Sequence, residues 1–280
     1  MQDDERLLEL FERLSLAAGR AIMEVRARGF EAEIKRDLTP VTEADRAAEK
    51  IILDGLRAAL PGTNCVAEEE VAAGVRCEAG AGTFILVDPL DGTREFLDGK
   101  PDFTVNIALV RKFEPAVGVV YAPVRGELYA GRPGRAEFAK IGADYAVTTR
   151  QAVSVRKAPS RPLVLASRSH RTPQTDAFID SLKNVDCCAI GSSLKFGLLA
   201  RGEADLYPRF GPTMEWDTAA GDAVLRAAGG RTMTLDGKPL TYGKRNGPSG
   251  VDFANPWFVA TGGDCEGLEA ALAACGKLAK

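Results

Sequence analysis

Val87-Asp88-Pro89-Leu90-Asp91-Gly92-Thr93 decides how this chain is read. An apolar, strand-forming run over 83–87 leads into it. Pro89 brings no N–H to a central ladder, so the chain is expected to turn there. The turn gathers the Asp88 and Asp91 carboxylates and the Leu90 carbonyl toward one point, Gly92 lets the backbone come close, and Thr93 adds a hydroxyl. Such hard oxygen ligands are what Mg²⁺ prefers. Asp-Gly is also a common turn dipeptide, and on these seven residues alone a plain surface turn is an equal reading.

Upstream, Leu7, Leu8, Leu10, Phe11, Leu14, Ala17, Ala18, Ala21, Ile22 and Val25 recur at helical spacing and predict a long first helix ending near Arg28-Gly29. Thr42-Glu43-Ala44-Asp45 has the form of a capping box, with Asp where Glu or Gln is usual. It opens a second helix that runs to about Ala59, before Pro61-Gly62. Glu68-Glu69-Glu70 follows the short apolar run Cys65-Val66-Ala67, and a charge run is ordinarily a solvated face. Downstream, strands over 105–110, 116–121 and 127–130 are expected to form an antiparallel meander, with 131–140 as a Gly/Arg-rich connection.

From about Arg161 the pattern changes. Strands over 163–166, 187–190, 205–207, 231–234 and 257–260 alternate with helices over 173–182, 193–200, 217–228 and 267–275. Trp216-Asp217-Thr218-Ala219-Ala220 opens one of these helices, where Asp217 also suits a simple N-cap. The chain therefore reads as α/β, with an α+β sub-domain over 1–155 and an α/β sub-domain over 156–280.

The formal charge of −3 gives no basic field for a nucleic-acid duplex, so an anionic ligand must be drawn by a local site or by bound cations. No apolar run reaches the roughly 20 residues of a membrane span, and the acidic start Met-Gln-Asp-Asp-Glu-Arg lacks a signal peptide's order. The six cysteines form no C-x-x-C pair and the chain has one histidine, which argues against zinc and for reduced thiols in the cytoplasm.

Taken together and in order, Pro40-Val41-Thr42-Glu43-Ala44-Asp45, Ala67-Glu68-Glu69, Asp88-Pro89-Leu90-Asp91-Gly92-Thr93 and Trp216-Asp217-Thr218-Ala219-Ala220-Gly221 resemble the lithium-sensitive inositol monophosphatase superfamily. The second half is most similar to its 3′(2′),5′-bisphosphate nucleotidase branch. The pieces that carry this are Ser167-Arg168-Ser169-His170, Gly191-Ser192-Ser193-Leu194-Lys195-Phe196 and Leu206-Tyr207-Pro208-Arg209-Phe210-Gly211-Pro212-Thr213. The resemblance implies a layered αβαβα sandwich. It also implies Mg²⁺-dependent hydrolysis of adenosine 3′,5′-bisphosphate to AMP and phosphate, with the 5′-phosphosulfate analogue as a further substrate, in sulfur assimilation. It implies a first Mg²⁺ on Glu68, Asp88 and the Leu90 carbonyl, a second on Asp88, Asp91 and Asp217, and room for a third near Glu68. Asp45 and Thr93 would orient the attacking water, with Glu68 also counted as catalytic. Glu68, Leu90, Asp91, Gly92, Thr93 and Asp217 would meet the substrate phosphate. Ser192, Lys195, Arg209 and His170 would meet the rest of the nucleotide. A monomer or homodimer is expected, and peripheral association with the inner membrane is left open by the family.

Physically, Gly191-Ser192-Ser193 ahead of a helix can offer amides to an anion, or be a simple cap. Lys195 and Arg209 can pair with a second phosphate, or be solvated surface charges. Glu215 could mimic the acid with which inositol phosphatases hold a sugar hydroxyl, which keeps an inositol or sugar phosphatase as the competing reading. A non-catalytic nucleotide sensor would be expected to have lost part of the acidic set, and all of it is present.

Overall fold

The computed structural model describes residues 2–34, 40–80 and 82–275. The first helix, α1 (Gln2–Arg28), is followed by the short pair β1 (Ala32–Ile34) and β2 (Pro40–Thr42), and then by α2 (Glu43–Ala59). Thr42 caps α2 as its sequence suggests: its side chain accepts from the Ala44 N–H, and Asp45 accepts from the Thr42 N–H at 2.7 Å. β3 (Cys65–Ala67) and α3 (Glu68–Ala72) lead to β4 (Thr83–Asp91) and α4 (Thr93–Leu97). An antiparallel meander follows: β5 (Thr104–Arg111), β6 (Glu114–Ala122), β7 (Glu127–Arg132), β8 (Arg135–Ile141) and β9 (Val147–Ala152). With β3 parallel to β4 at one edge, these make a seven-stranded sheet.

Two expectations are corrected here. The stretch 131–140 is not a connection: it holds a tight turn and most of β8, whose Ala136 and Phe138 are buried. Its Gly and Arg content hid the strand-forming positions between them. Pro89 does not end its strand either. Asp88 faces Asn106 and Asp91 faces Thr104, so β4 carries one more residue than β5 across this step, and Pro89 sits in a β-bulge.

The second half runs β10 (Leu163–Ser167), α5 (Pro173–Ser181), β11 (Asp186–Ile190), α6 (Leu194–Ala200), β12 (Leu206–Arg209), α7 (Ala219–Ala227), β13 (Arg231–Thr234), β14 (Phe258–Thr261) and α8 (Leu268–Cys275). Its five strands order as β11-β10-β12-β14-β13, with β10 parallel to both neighbours and β14 antiparallel to both of its own. α7 begins two residues later than expected, because Thr218 and not Asp217 stands at its cap.

Three buried clusters divide these elements into five layers. One lies between α1, α2 and the large sheet, one between the two sheets around α6 and α7, and one between the small sheet and α5 and α8. This is the αβαβα order that the sequence resemblance implies. The inner layer is close-fitting: a Cβ at Gly118 of β6 or at Gly131, its partner on β7, would meet α7 backbone at 2.4 or 2.5 Å. Glycine at both positions lets α7 lie directly on the sheet, which brings the residues before its first turn beside the end of β4. Among the described residues no helix is long and apolar enough to cross a membrane. The thiols of Cys65, Cys77, Cys187, Cys188 and Cys265 are unbridged, and the Cys275 side chain lies outside the described set.

Candidate active site

The β4 bulge and the Gly92 that follows it aim this region. Gly92 has φ +92°, and a Cβ there would stand 3.1 Å from the Asp102 carbonyl, so only glycine closes this turn without strain. A cleft of about 590 Å³ opens beside it. Glu68, Asp88, Leu90, Asp91, Gly92, Thr93, His170, Ser192, Lys195, Arg209 and Asp217 all line it. A larger groove, about 810 Å³, lies under β13 and α8 and carries none of them.

Asp45 stands behind the wall, 2% exposed, and reaches the cleft through Thr93. The Thr93 hydroxyl lies 3.2 Å from Asp45 Oδ1 and 3.3 Å from the Leu90 carbonyl, while Asp45 Oδ2 accepts from both Thr42 N–H and Thr42 O–H at 2.7 Å. Asp45 is thereby held as a proton acceptor for Thr93.

The acidic side chains are anchored by backbone amides. Asp88 Oδ1 accepts from the Leu90 N–H at 3.0 Å. Asp91 Oδ2 accepts from the Ser193 N–H at 2.5 Å and lies 2.6 Å from the Ser193 hydroxyl, and Asp217 Oδ2 accepts from the Met214 N–H at 2.9 Å. Anchoring through Oδ2 leaves the Oδ1 lone pairs of Asp91 and Asp217 for an ion. Burial first, then the negative charges of Asp91 and Glu68, push the Asp217 carboxyl up to about 8. Asp217 is thus a buried carboxyl beside two further negative groups, and a divalent cation would offset both the burial and the like charges. Among the described residues no three Asp, Glu, His or Cys side chains already converge on one point as a cage.

The opposite wall comes from the second half. Lys195 is 2% exposed, and its Nζ donates to the Ser192 carbonyl at 2.5 Å and the Ile190 carbonyl at 3.2 Å. Burial lowers it to about 7, against the attraction of Asp91. Arg209 is 6% exposed; one guanidinium nitrogen donates to the Pro212 carbonyl at 2.5 Å, and its Nε is buried with no hydrogen-bond partner among the described residues. Neither is a solvated surface charge. His170 is exposed as a whole residue. Partial desolvation of its ring, then the positive charges of Arg209, Arg94 and Lys195, push it down to about 4, so it is a neutral group.

Two sequence expectations are corrected by these contacts. Within Gly191-Ser192-Ser193 the Ser193 N–H is not open to a ligand: the anion on it is Asp91, and the next amide, Leu194 N–H, points to the Ser192 hydroxyl at 3.4 Å. Glu215 does not face the cleft. It is wholly buried, its carboxylate accepts from the Gly243 and Lys244 N–H groups at 2.5 and 2.8 Å, and it pairs with the Lys244 ammonium at 2.8 Å.

The inositol monophosphatase family model matches residues 3–258. This chain belongs to the inositol monophosphatase family. Within the family it is 42% identical over 254 residues to the 3′(2′),5′-bisphosphate nucleotidase CysQ of Escherichia coli K12, covering 90% of this chain and 98% of that one. It is 31% identical over 268 residues to the protein of that name from Haemophilus influenzae, covering 92% and 94%. Among solved structures it is similar to CysQ from Bacteroides thetaiotaomicron, with a TM-score of 0.77, 34% identity, and 93% and 98% of the two chains covered. An IMPase from Thermotoga maritima superposes equally well, with a TM-score of 0.77 over 99% and 100% of the chains, and at 22% identity shows the shared fold.

Among the cleft residues outside the expected set are Ser193 and Arg94. Ser193 joins the halves: its hydroxyl lies 2.6 Å from Asp91 Oδ2 and 2.7 Å from the Asp217 carbonyl, and accepts from Asn106 Nδ2 at 2.9 Å. The local sequence marks it only as a helix entry; its partner is 102 residues away. Arg94 lines the cleft next to Thr93 and adds to the positive charge around His170.

Proposed function

We propose that this chain is a Mg²⁺-dependent 3′(2′),5′-bisphosphate nucleotidase that hydrolyses the 3′-phosphate of adenosine 3′,5′-bisphosphate to AMP and phosphate. The observation that carries this reading is the pairing of two walls in one cleft. One wall holds anchored carboxylates for a cation-bound phosphate; the other holds Lys195 and Arg209, whose buried Nε awaits an acceptor, for a second phosphate. The names of the similar proteins agree with it, and Glu215, locked onto the Gly243–Lys244 backbone, cannot serve a sugar hydroxyl.

Glu68, Asp88, Asp91, Asp217 and the Leu90 carbonyl would hold two Mg²⁺ ions, with a third near Glu68. When bound, such ions lower the pKa of an attacking water and offset charge on the leaving oxygen. The remaining work belongs to the chain. Thr93 Oγ takes a proton from the water while passing its own to Asp45 Oδ1, 3.2 Å away. Lys195 and Arg209 fix the second phosphate, so that the scissile one sits against the acids. The neutral His170 lies beside that phosphate as a hydrogen-bonding partner for the nucleoside.

Phosphate release should be measured with Mg²⁺ on adenosine 3′,5′-bisphosphate, inositol 1-phosphate and fructose 1,6-bisphosphate. A charge-assisted hydrogen bond contributes about 1.5–3 kcal/mol, so kcat/KM for the nucleotide should exceed that for inositol 1-phosphate by about 10- to 100-fold. A preference for inositol 1-phosphate would overturn the reading.

A further inference from the structure

We propose that Glu49, in the middle of α2, is a positioning residue that sets Glu68 for cation binding by fixing the first turn of α3. The inference rests on the reading of Glu68 as an ion ligand. α3 has five residues, too few to be stable alone, and its cap residue Ala67 offers no side-chain hydrogen bond. Its first turn nevertheless carries three consecutive glutamates, Glu68, Glu69 and Glu70. Glu49 supplies the missing cap from another helix. The Glu69 N–H donates to Glu49 Oε2 at 2.8 Å and the Glu70 N–H to Oε1 at 2.9 Å, and Glu49 is 5% exposed.

The geometry gives this contact a direction. The Glu69 N–H belongs to the peptide that joins Glu68 to Glu69, so tying it to Glu49 fixes that peptide plane and the backbone angle that carries the Glu68 side chain. Glu49 itself lines a groove on the outer side of α3, while Glu68 lines the cleft on the inner side. On the chain's other side of Glu68, Ala67 is registered against Val87, the residue before Asp88. Glu68 is thus held between a strand pairing and the Glu49 clamp. Asp45, one turn earlier on the same helix, accepts from the Thr93 hydroxyl from behind the cleft wall. α2 therefore carries two carboxylates one turn apart, each holding a different piece of the acidic wall.

Mg²⁺ binding should be followed by calorimetry without substrate, for the unaltered protein and for Glu49→Gln, Glu49→Ala and Glu68→Gln. Glu49→Gln keeps the volume and one acceptor but turns an amide donor toward an N–H. Partners that orient metal ligands typically change affinity by about 10- to 100-fold when lost. The expected result is a Mg²⁺ Kd raised by about that factor in both Glu49 variants. At saturating Mg²⁺, KM for the bisphosphate should stay unchanged and most of kcat should return. A contact that only stabilises the fold would lower Tm and leave the Kd alone. If Glu68→Gln loses Mg²⁺ while Glu49→Gln binds it with unaltered Kd, the inference is overturned. If Glu68→Gln itself binds Mg²⁺ normally, the underlying ligand reading fails instead.

Discussion

The two walls of the cleft are built by opposite rules. On the acidic wall each aspartate accepts a backbone N–H: Asp88 from Leu90, Asp91 from Ser193, Asp217 from Met214. On the cationic wall each basic group donates to backbone carbonyls: Lys195 to Ser192 and Ile190, Arg209 to Pro212. The amide contacts hold the carboxylates in place, yet Asp217 stays raised by burial first and then by the negative charges of Asp91 and Glu68. The carbonyl contacts orient cations but neutralise nothing, and Arg209 Nε is left over. The first wall is arranged to accumulate positive charge and the second to receive negative charge. The acidic wall should therefore govern turnover, and the cationic wall should govern which phosphorylated compound is turned over.

The sharpest way to break this division is to remove one acid. Asp91→Asn or Asp217→Ala should lower kcat by about 10²–10³, the scale of one lost transition-state contact, with circular dichroism unchanged. Near-normal turnover in either folded variant would mean that the acids are structural. The next effect is smaller and of another kind. Lys195→Ala should raise KM for the bisphosphate by about 10- to 100-fold, the scale of a lost charge-assisted hydrogen bond, and leave KM for a nucleoside monophosphate almost unaltered. Equal changes for both substrates would place Lys195 on the structural side of the comparison.

The two walls were also unequally legible in the sequence. The acidic wall is written locally: the capping box at Thr42, the Asp88–Thr93 turn and the stretch around Asp217 each stand within a few residues, and the fold brings them together. The cationic wall depends on partners distant in the chain. Gly191-Ser192-Ser193 looks like an anion nest until Asp91 occupies its amide. Glu215 looks like a substrate ligand until the 243–244 backbone claims it. In the fold, the strongly periodic α1 and α2 stand close to where their patterns put them. β9 leaves no mark in the sequence, because all six of its residues are exposed and no apolar alternation picks them out. Glu49 looks like any helix glutamate, since its two amide partners lie 20 and 21 residues on.

The smallest effect concerns His170, and one histidine in the chain makes it directly readable by NMR. An imidazole free of its surroundings titrates near 6.5, and here desolvation and the positive Arg209, Arg94 and Lys195 hold it at about 4. Between pH 4 and 6.5 the unfolded chain therefore binds a proton that the folded chain does not. Stability from this group is fully present above 6.5 and is lost as the pH falls toward 4. The imidazole carbon-bound protons should show a midpoint below 5, and kcat/KM should carry no inflection from this ring between pH 6 and 7. Arg209→Ala should move the midpoint upward, because it removes one of the opposing charges while leaving the ring in place. A midpoint near 6.5 in the unaltered protein would mean that the cationic wall does not act on its own histidine, and the claim that this wall is poised for an anion would lose its electrostatic basis.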